Sequence, residues 1–341
     1  MTYQDMLENA KKNIGPYCKA CIVCNGLACR NQIPGPGAKG NGDNAINNYK
    51  AWQNYRILTD PINDVKEADT TFNFFGTKLN APIFIGPVGS VKSHYGDLYD
   101  DLEYNQMLLK GAKEANILAC LGDGKNPSVM ESAAKTLSEL DGFGVPTIKP
   151  WDMDTVYSKL DLVKKAHPKA IAMDIDACGL PFLKNQNPPA GTKTVAELKN
   201  IIKRAEVPFI VKGVLSLATA RKAYEAGASA IVISNHGGRI LESTISTLEA
   251  LKDIAKEFKG KMTLIVDGGI RSGSDIFKAL ALGADAVLIA RPYVVSIYGA
   301  QSEGIKLYTD KLIGELKDTM LLCGCHKLSD INENFIKYEK L

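Results

Sequence analysis

The sequence predicts an α/β fold, a (β/α)8 TIM barrel preceded by an irregular N-terminal arm. Three observations predict it. From Ala81 onward short apolar runs alternate with stretches of helical period, the pairs number eight, and charged residues or glycines follow the end of each run. Strict strand–helix alternation gives parallel strands joined by right-handed crossovers, and eight units are the number that closes into a barrel. A doubly wound open sheet is the weaker alternative, since no G-x-G-x-x-G follows the first strand.

Residues 1–50 form the arm and residues 51–341 the barrel. The arm opens with a short polar helix candidate and continues as YCKACIVCNGLACRNQIPGPGAKGNGDN, dense in Cys, Gly, Pro and Asn. Cys18, Cys21, Cys24 and Cys29 follow a C-x2-C-x2-C-x4-C spacing. Four thiolates at such intervals can close around a zinc ion or an iron–sulfur cluster, although neither the usual zinc nor the usual ferredoxin spacing is matched. Reduced cysteines that merely pack a small lobe are the other reading, and the sequence leaves both open.

In the barrel the units run in order. PIFIGPVG precedes a helix over 98–115, ILACLGDG one over 127–140, and VPTIKPW one over 153–166. AIAMDID is followed, after a Pro/Asn-rich loop, by 194–205, PFIVKG by 216–226, and AIVISNHGG by 245–258. TLIVDGG and a helix at 274–282, then AVLIARP and one at 304–322, complete the set. Continuous apolar runs fit strands covered on both faces, and functional side chains in such barrels lie just past the strands' C-terminal ends. Those positions hold Pro87-Val88-Gly89, Gly122-Asp123-Gly124, Lys149-Pro150-Trp151, Asp174 and Asp176, Lys212-Gly213, Ser234 to Arg239, Asp267 to Arg271, and Ala290-Arg291. Strand punctuation accounts for the glycines there. It does not account for two lysines, two aspartates and a histidine around one mouth.

The formal charge of +3 is small and scattered, which excludes a nucleic-acid or anionic-membrane partner. No segment approaches eighteen uninterrupted apolar residues, and MTYQDMLENAKK lacks the apolar core of an export signal, so a cytoplasmic protein with reduced cysteines is expected. A homo-oligomer acting on a small molecule is the expected assembly.

The chemistry concentrates in three stretches. In SNHGGR two glycines turn the chain sharply past the sixth strand, carrying out His236, which can take a proton near neutrality, and Arg239, which can hold a carboxylate by two parallel hydrogen bonds. In DGGIRSGSDIFKAL and LIARPYV, after strands seven and eight, glycines and a helix N-terminus suit a phosphate, with Arg271 and Arg291 supplying charge-assisted hydrogen bonds. Lys212, ending VPFIVKG, brings an ammonium to the same mouth, where it can stabilise negative charge on an electron-accepting ring.

Together VKG, SNHGGR, DGGIRSGSDIFKALALGADAV and ARP resemble the FMN-dependent α-hydroxy-acid oxidase and dehydrogenase family, from about Gly37 to Cys323. The resemblance implies FMN as cofactor and a 2-hydroxy acid as substrate. It places Pro87, Val88 and Gly89 along the flavin ring, Lys212 at its N1/O2 edge, and Ser234 as a further contact. Asp267, Gly268, Gly269 and Arg271, with Ala290 and Arg291, match the ribityl and phosphate site. His236 matches the catalytic base and Arg239 the carboxylate-binding arginine. Gly122 belongs to the cofactor side of the mouth by position.

The departures lie on the substrate side. Lys149-Pro150-Trp151 stands where the family has Gln-Leu-Tyr, so Lys149 is expected on the flavin and Trp151 on the substrate. Asp174 replaces a threonine near the flavin, the loop from Ala177 to Lys193 lacks the family's second arginine, and the arm lacks its active-site tyrosine. The leading expectation is oxidation of a lactate- or glycolate-like 2-hydroxy acid to the 2-oxo acid. The alternatives are an FMN isomerase or reductase on another substrate, and an electron-transfer component whose arm holds a metal centre.

Overall fold

A computed structural model describes residues 1–187 and 189–340. Eight strands build the centre: β1 Ile83–Ile85, β2 Leu118–Leu121, β3 Val145–Ile148, β4 Ile171–Asp174, β5 Phe209–Val214, β6 Ala230–Ile233, β7 Thr263–Asp267 and β8 Ala286–Ile289. They form a closed barrel in which every neighbouring pair, including β8 with β1, is parallel. The helices that follow them are α1 Asp101–Ala115, α2 Pro127–Glu139, α3 Met153–Lys164, α4 Val195–Ala205, α5 Leu217–Glu225, α6 Thr247–Phe258, α7 Gly273–Ala281 and α8 Arg291–Leu322. The (β/α)8 barrel read from the sequence is the fold.

Local chemistry sets several boundaries. Asp100, Asn126, Thr194 and Ser272 accept backbone N–H groups of the first turns of α1, α2, α4 and α7, satisfying donors that a helix start leaves unpaired. The eighth helix departs from expectation. It begins at Arg291 rather than 304 and is broken at Ala300 and Gln301, where the backbone leaves the helical region. Its first part is buried from Pro292 to Gly299, so it shows no polar face and no readable period.

Two apolar layers hold the barrel. Phe84, Leu118, Ile210, Val232, Ile265 and Leu288 fill the interior. A hairpin of Phe72–Phe74 and Thr77–Leu79 leads into β1 and plugs the N-terminal end with Phe74, whose ring meets that of Phe84 edge-on at 4.8 Å. The outer layer packs strands against helices and takes in Met6, Leu7, Ala10 and Trp52 from the N-terminal segment.

That segment supplies two helices. Tyr3–Asn13 buries Met6 beside Gly299, where a Cβ would stand 2.3 Å from the Met6 carbonyl oxygen. Helix Asp43–Gln53 runs across residue 50 and lies on the rim over the β6 and β7 loops. Its Trp52 is fully buried and donates Nε1–H to the Gly268 carbonyl at 2.8 Å, while Asn48 and Asn235 exchange side-chain hydrogen bonds of 2.7 and 3.1 Å. Strand Tyr55–Ile57 then pairs antiparallel with Ile336–Tyr338. Because Trp52 combines complete burial with support of the β7 loop, Trp52→Ala should cost about 3–5 kcal/mol. Urea unfolding checks this, and an unchanged midpoint would show that the rim helix adds nothing to the core.

Candidate active site

A cleft opens at the C-terminal ends of the strands. Pro87, Val88 and Gly89 line it after β1, Lys149 after β3 and Lys212 on β5. His236 and Arg239 enter after β6, Asp267, Gly268, Gly269 and Arg271 at the end of β7, and Ala290 and Arg291 after β8. Four residues expected at the mouth stand behind its wall instead. Gly122 packs against the β1 loop, where a Cβ would lie 2.4 Å from the Gly89 nitrogen. Ser234 and Asp174 are buried beneath the lining and touch it through hydrogen bonds. Trp151 is buried with its Nε1–H donated to Asp123 Oδ2 at 2.7 Å. The indole is thereby turned from the cleft.

Asp174 is the electrostatic centre. Its Oδ2 accepts from Lys149 Nζ at 3.1 Å and its Oδ1 from Lys212 Nζ at 2.9 Å, with His236 Nδ1 3.4 Å away. Burial opposes its ionisation, but His236, Lys212 and Lys149 overcome that and hold the carboxyl well below the usual range. Burial likewise pulls Lys212 down, and Asp174, Asp176 and Asp267 reverse the sign, so the ammonium persists. Asp174, Asp176 and His236 bring three ligand atoms within 4.8 Å of one another. Both oxygens of Asp174 already serve ammonium groups, which disfavours a metal cation there.

His236 sits in the left-handed region, φ 56, a strained conformation that persists only where its surroundings fix it. Its N–H donates to Ser234 Oγ at 3.0 Å, and that hydroxyl donates to Asp267 Oδ2 at 2.7 Å. Its Nδ1 meets Asp176 Oδ1 at 2.9 Å. Asp176 fits because β5 bulges at Gly213, φ +95, where any Cβ would strike the Asp176 carboxyl carbon at 2.5 Å. A carboxylate on Nδ1 keeps the proton on that nitrogen and leaves Nε2 as a base.

The arm closes the mouth. Arg239, partly buried, donates Nη1–H to the carbonyls of Gly35 and Gly37. The Gly35 N–H donates to His94 Nδ1 at 3.1 Å. His94 also lines the cleft. Burial, with the charges of Arg239 and Lys149, lowers its pKa to about 3, so the imidazole is neutral and carries its hydrogen on Nε2.

At the other end the residues fit a phosphate. Arg291, in the wall of the cleft, donates Nη2–H to the Gly237 carbonyl at 3.3 Å, while its Nη1 is buried without a partner, an orphaned cationic donor of the kind an anion satisfies. Gly268 and Gly269, φ +85 and +83, line the cleft and admit no side chain, since a Cβ on either would strike Asn48. Arg271 is shared. It lines the cleft but gives Nε–H to the Cys24 carbonyl at 2.7 Å.

Three residues that matter here have no role assigned from sequence. Asp176 is visible as a strand-end acid, but its pairing with His236 spans non-adjacent strands. Asp123 accepts from the Lys149 N–H, Trp151 and Lys159, and only the fold brings these donors together. His94 belongs to no motif.

The comparisons agree with this geometry. A family described as FMN-dependent dehydrogenase matches residues 36–187 and 182–338. The chain is 30% identical over 323 residues to glycolate oxidase of Spinacia oleracea, covering 82% of this chain and 84% of that protein. It is 29% identical over 325 residues to L-lactate oxidase of Lactobacillus jensenii, covering 85% and 77%. A solved structure of mandelate oxidase with benzoyl-formic acid superposes with a TM-score of 0.81 at 23% identity, covering 100% of this chain and 99% of that one, and so shares the fold. The chain belongs to the FMN-dependent dehydrogenase family and is an FMN-dependent oxidoreductase.

Proposed function

We propose that this chain oxidises a small monocarboxylic 2-hydroxy acid, lactate- or glycolate-like, with His236 as the base and Arg239 as the carboxylate clamp. One observation carries the assignment: His236, fixed at Nδ1 by Asp176, and Arg239 enter one cleft from the same turn after β6. FMN, when bound, supplies the two-electron acceptor. Its phosphate belongs with Arg291 and Arg271 and its ring with Pro87 to Gly89, while Lys212, backed by Asp174 and Lys149, supplies positive charge at the ring's polar edge. Arg239 fixes the acid end, His236 Nε2 takes a proton, and Asp176 stabilises the imidazolium that results. His94 Nε2–H offers the neutral donor that the arm's missing tyrosine leaves open.

The specificity follows from what lines the opposite wall. The loop after β4 contributes Leu180 and Phe182 to the cleft and contains no arginine. A second carboxylate finds no partner there, whereas a short apolar side chain does. The assembly belonging to this reading is a cytoplasmic homo-oligomer. No disulfide is formed among the described residues, in keeping with a reducing compartment, and no helix among them is long and apolar enough to cross a membrane.

Mixed anaerobically with lactate and glycolate, the protein should show flavin bleaching, and His236→Ala should keep its flavin but lose about 10²–10⁴-fold in that rate. Undiminished bleaching would remove His236 as the base. In Asp174→Asn the two ammonium groups lose their shared counter-charge, so the flavin potential should rise. An unchanged or lower potential in a dye-coupled titration would confine Asp174 to structure. His94 makes a pH prediction. Its pKa near 3 in the folded protein lies below the ordinary 6.5, so below pH 6.5 the unfolded chain binds more protons and stability falls as pH drops toward 3. His94→Gln should flatten that part of the stability profile measured by urea unfolding.

A further inference from the structure

The arm cysteines differ from the others in placement. Cys120, Cys323 and Cys325 are buried fillers and Cys178 lies on the loop after β4, whereas Cys18, Cys21, Cys24 and Cys29 are gathered on one short segment, each partly exposed and none disulfide-bonded. The four form a complete set of electrostatic neighbours. Cys18 senses Cys21, Cys24 and Cys29; Cys21 senses Cys24 and Cys29; and Cys29 senses Cys24.

The backbone around them is bent to suit. It turns left-handed at Ala20 (φ 42), Gly26 (φ 88) and Asn31 (φ 58), that is, between the first two cysteines, between the last two, and just beyond them. Ala20 is fully buried and has no glycine's freedom, so its conformation is imposed by the loop. Such turns gather backbone N–H groups into concavities that suit anionic phosphate and iron–sulfur groups.

Spacing decides the kind of centre. A single tetrahedral ion with bonds of about 2.3 Å needs its sulfurs roughly 3.8 Å apart. Yet no three cysteine sulfurs lie within 4.8 Å of one another among the described residues. A cluster in which each thiolate takes its own iron holds the sulfurs further apart. Fixed positive charge stands ready for it. Arg271 Nη2 is 3.9 Å from Cys24 Sγ, and Arg291 is a charge neighbour of both Cys24 and Cys29. Cys21 is followed by exposed Ile22 and Val23, so one edge of the group reaches the surface while Cys24 lies against Arg271.

We propose that Cys18, Cys21, Cys24 and Cys29 ligate a four-iron, four-sulfide cluster on the arm, beside Arg271.

The test is iron and acid-labile sulfide content of the full-length protein, purified anaerobically and then reconstituted with ferrous iron and sulfide, with electron paramagnetic resonance after dithionite reduction. About four irons and four sulfides per chain and a reduced-cluster signal are expected. Cys21→Ser and Cys24→Ser should lose iron and signal while their flavin absorbance and circular dichroism stay those of the parent. Cys120→Ser should retain all of them. Absence of iron and sulfide after reconstitution, one zinc per chain in their place, or iron that survives both arm substitutions would each overturn the proposal. Flavin content is read in the same samples, so failure of the cluster assignment is distinct from failure of the FMN assignment.

Discussion

One buried carboxylate, Asp174, joins the working strands of the barrel. It ends β4, accepts a hydrogen bond from Lys149 just past β3 and from Lys212 on β5, and lies 3.4 Å from His236, which follows β6. A charge in so dry a place costs several kcal/mol unless it is met by opposite charge and hydrogen bonds, and here both oxygens are met. The dependence is mutual, since Lys212 is as deeply buried as its partner. Lys149 and Asp174 therefore make physical sense only together. Where the family has an amide and a hydroxyl, this chain has an ion pair, with the formal charge beside the flavin edge still set by Lys212.

The arm is part of the site. Gly35 gives its carbonyl to Arg239 and its N–H to His94, so one peptide unit orients two cleft side chains. That position tolerates no side chain, since a Cβ on Gly35 would meet the Tyr17 Cβ at 2.9 Å and the Gln32 carbonyl oxygen at 2.8 Å. With the arm's tyrosine and the loop's arginine both gone, the substrate end relies on Arg239, His94 and an apolar wall. The cofactor end keeps its glycines and arginines.

Much of this was legible because parallel barrel strands are continuous apolar runs and their C-terminal ends face one mouth. That logic locates His236, Arg239, Lys212 and the β7 and β8 loops without any tertiary information. Lys149 and Asp174 stand at the ends of neighbouring strands, and that adjacency is what lets them pair. The logic fails where contacts skip a strand or local propensity misleads. Asp176 reaches His236 only through the bulge at Gly213. Helix Asp43–Gln53 is rich in Asn, a poor helix former, and its Asn44 and Asn48 are buried to hydrogen-bond the rim rather than to follow a helical pattern. Trp151 reads as a substrate contact, but its indole N–H finds the buried Asp123 carboxylate and is drawn inward.

Arg271 lines the cleft while its Nε–H is held by the Cys24 carbonyl. A guanidinium that touches both places links them: if a group bound on the arm changes affinity in the cleft, binding in the cleft changes affinity on the arm by the same factor. Arg271 shares that position with Arg239, whose Nη1–H is held by the Gly35 and Gly37 carbonyls of the same segment.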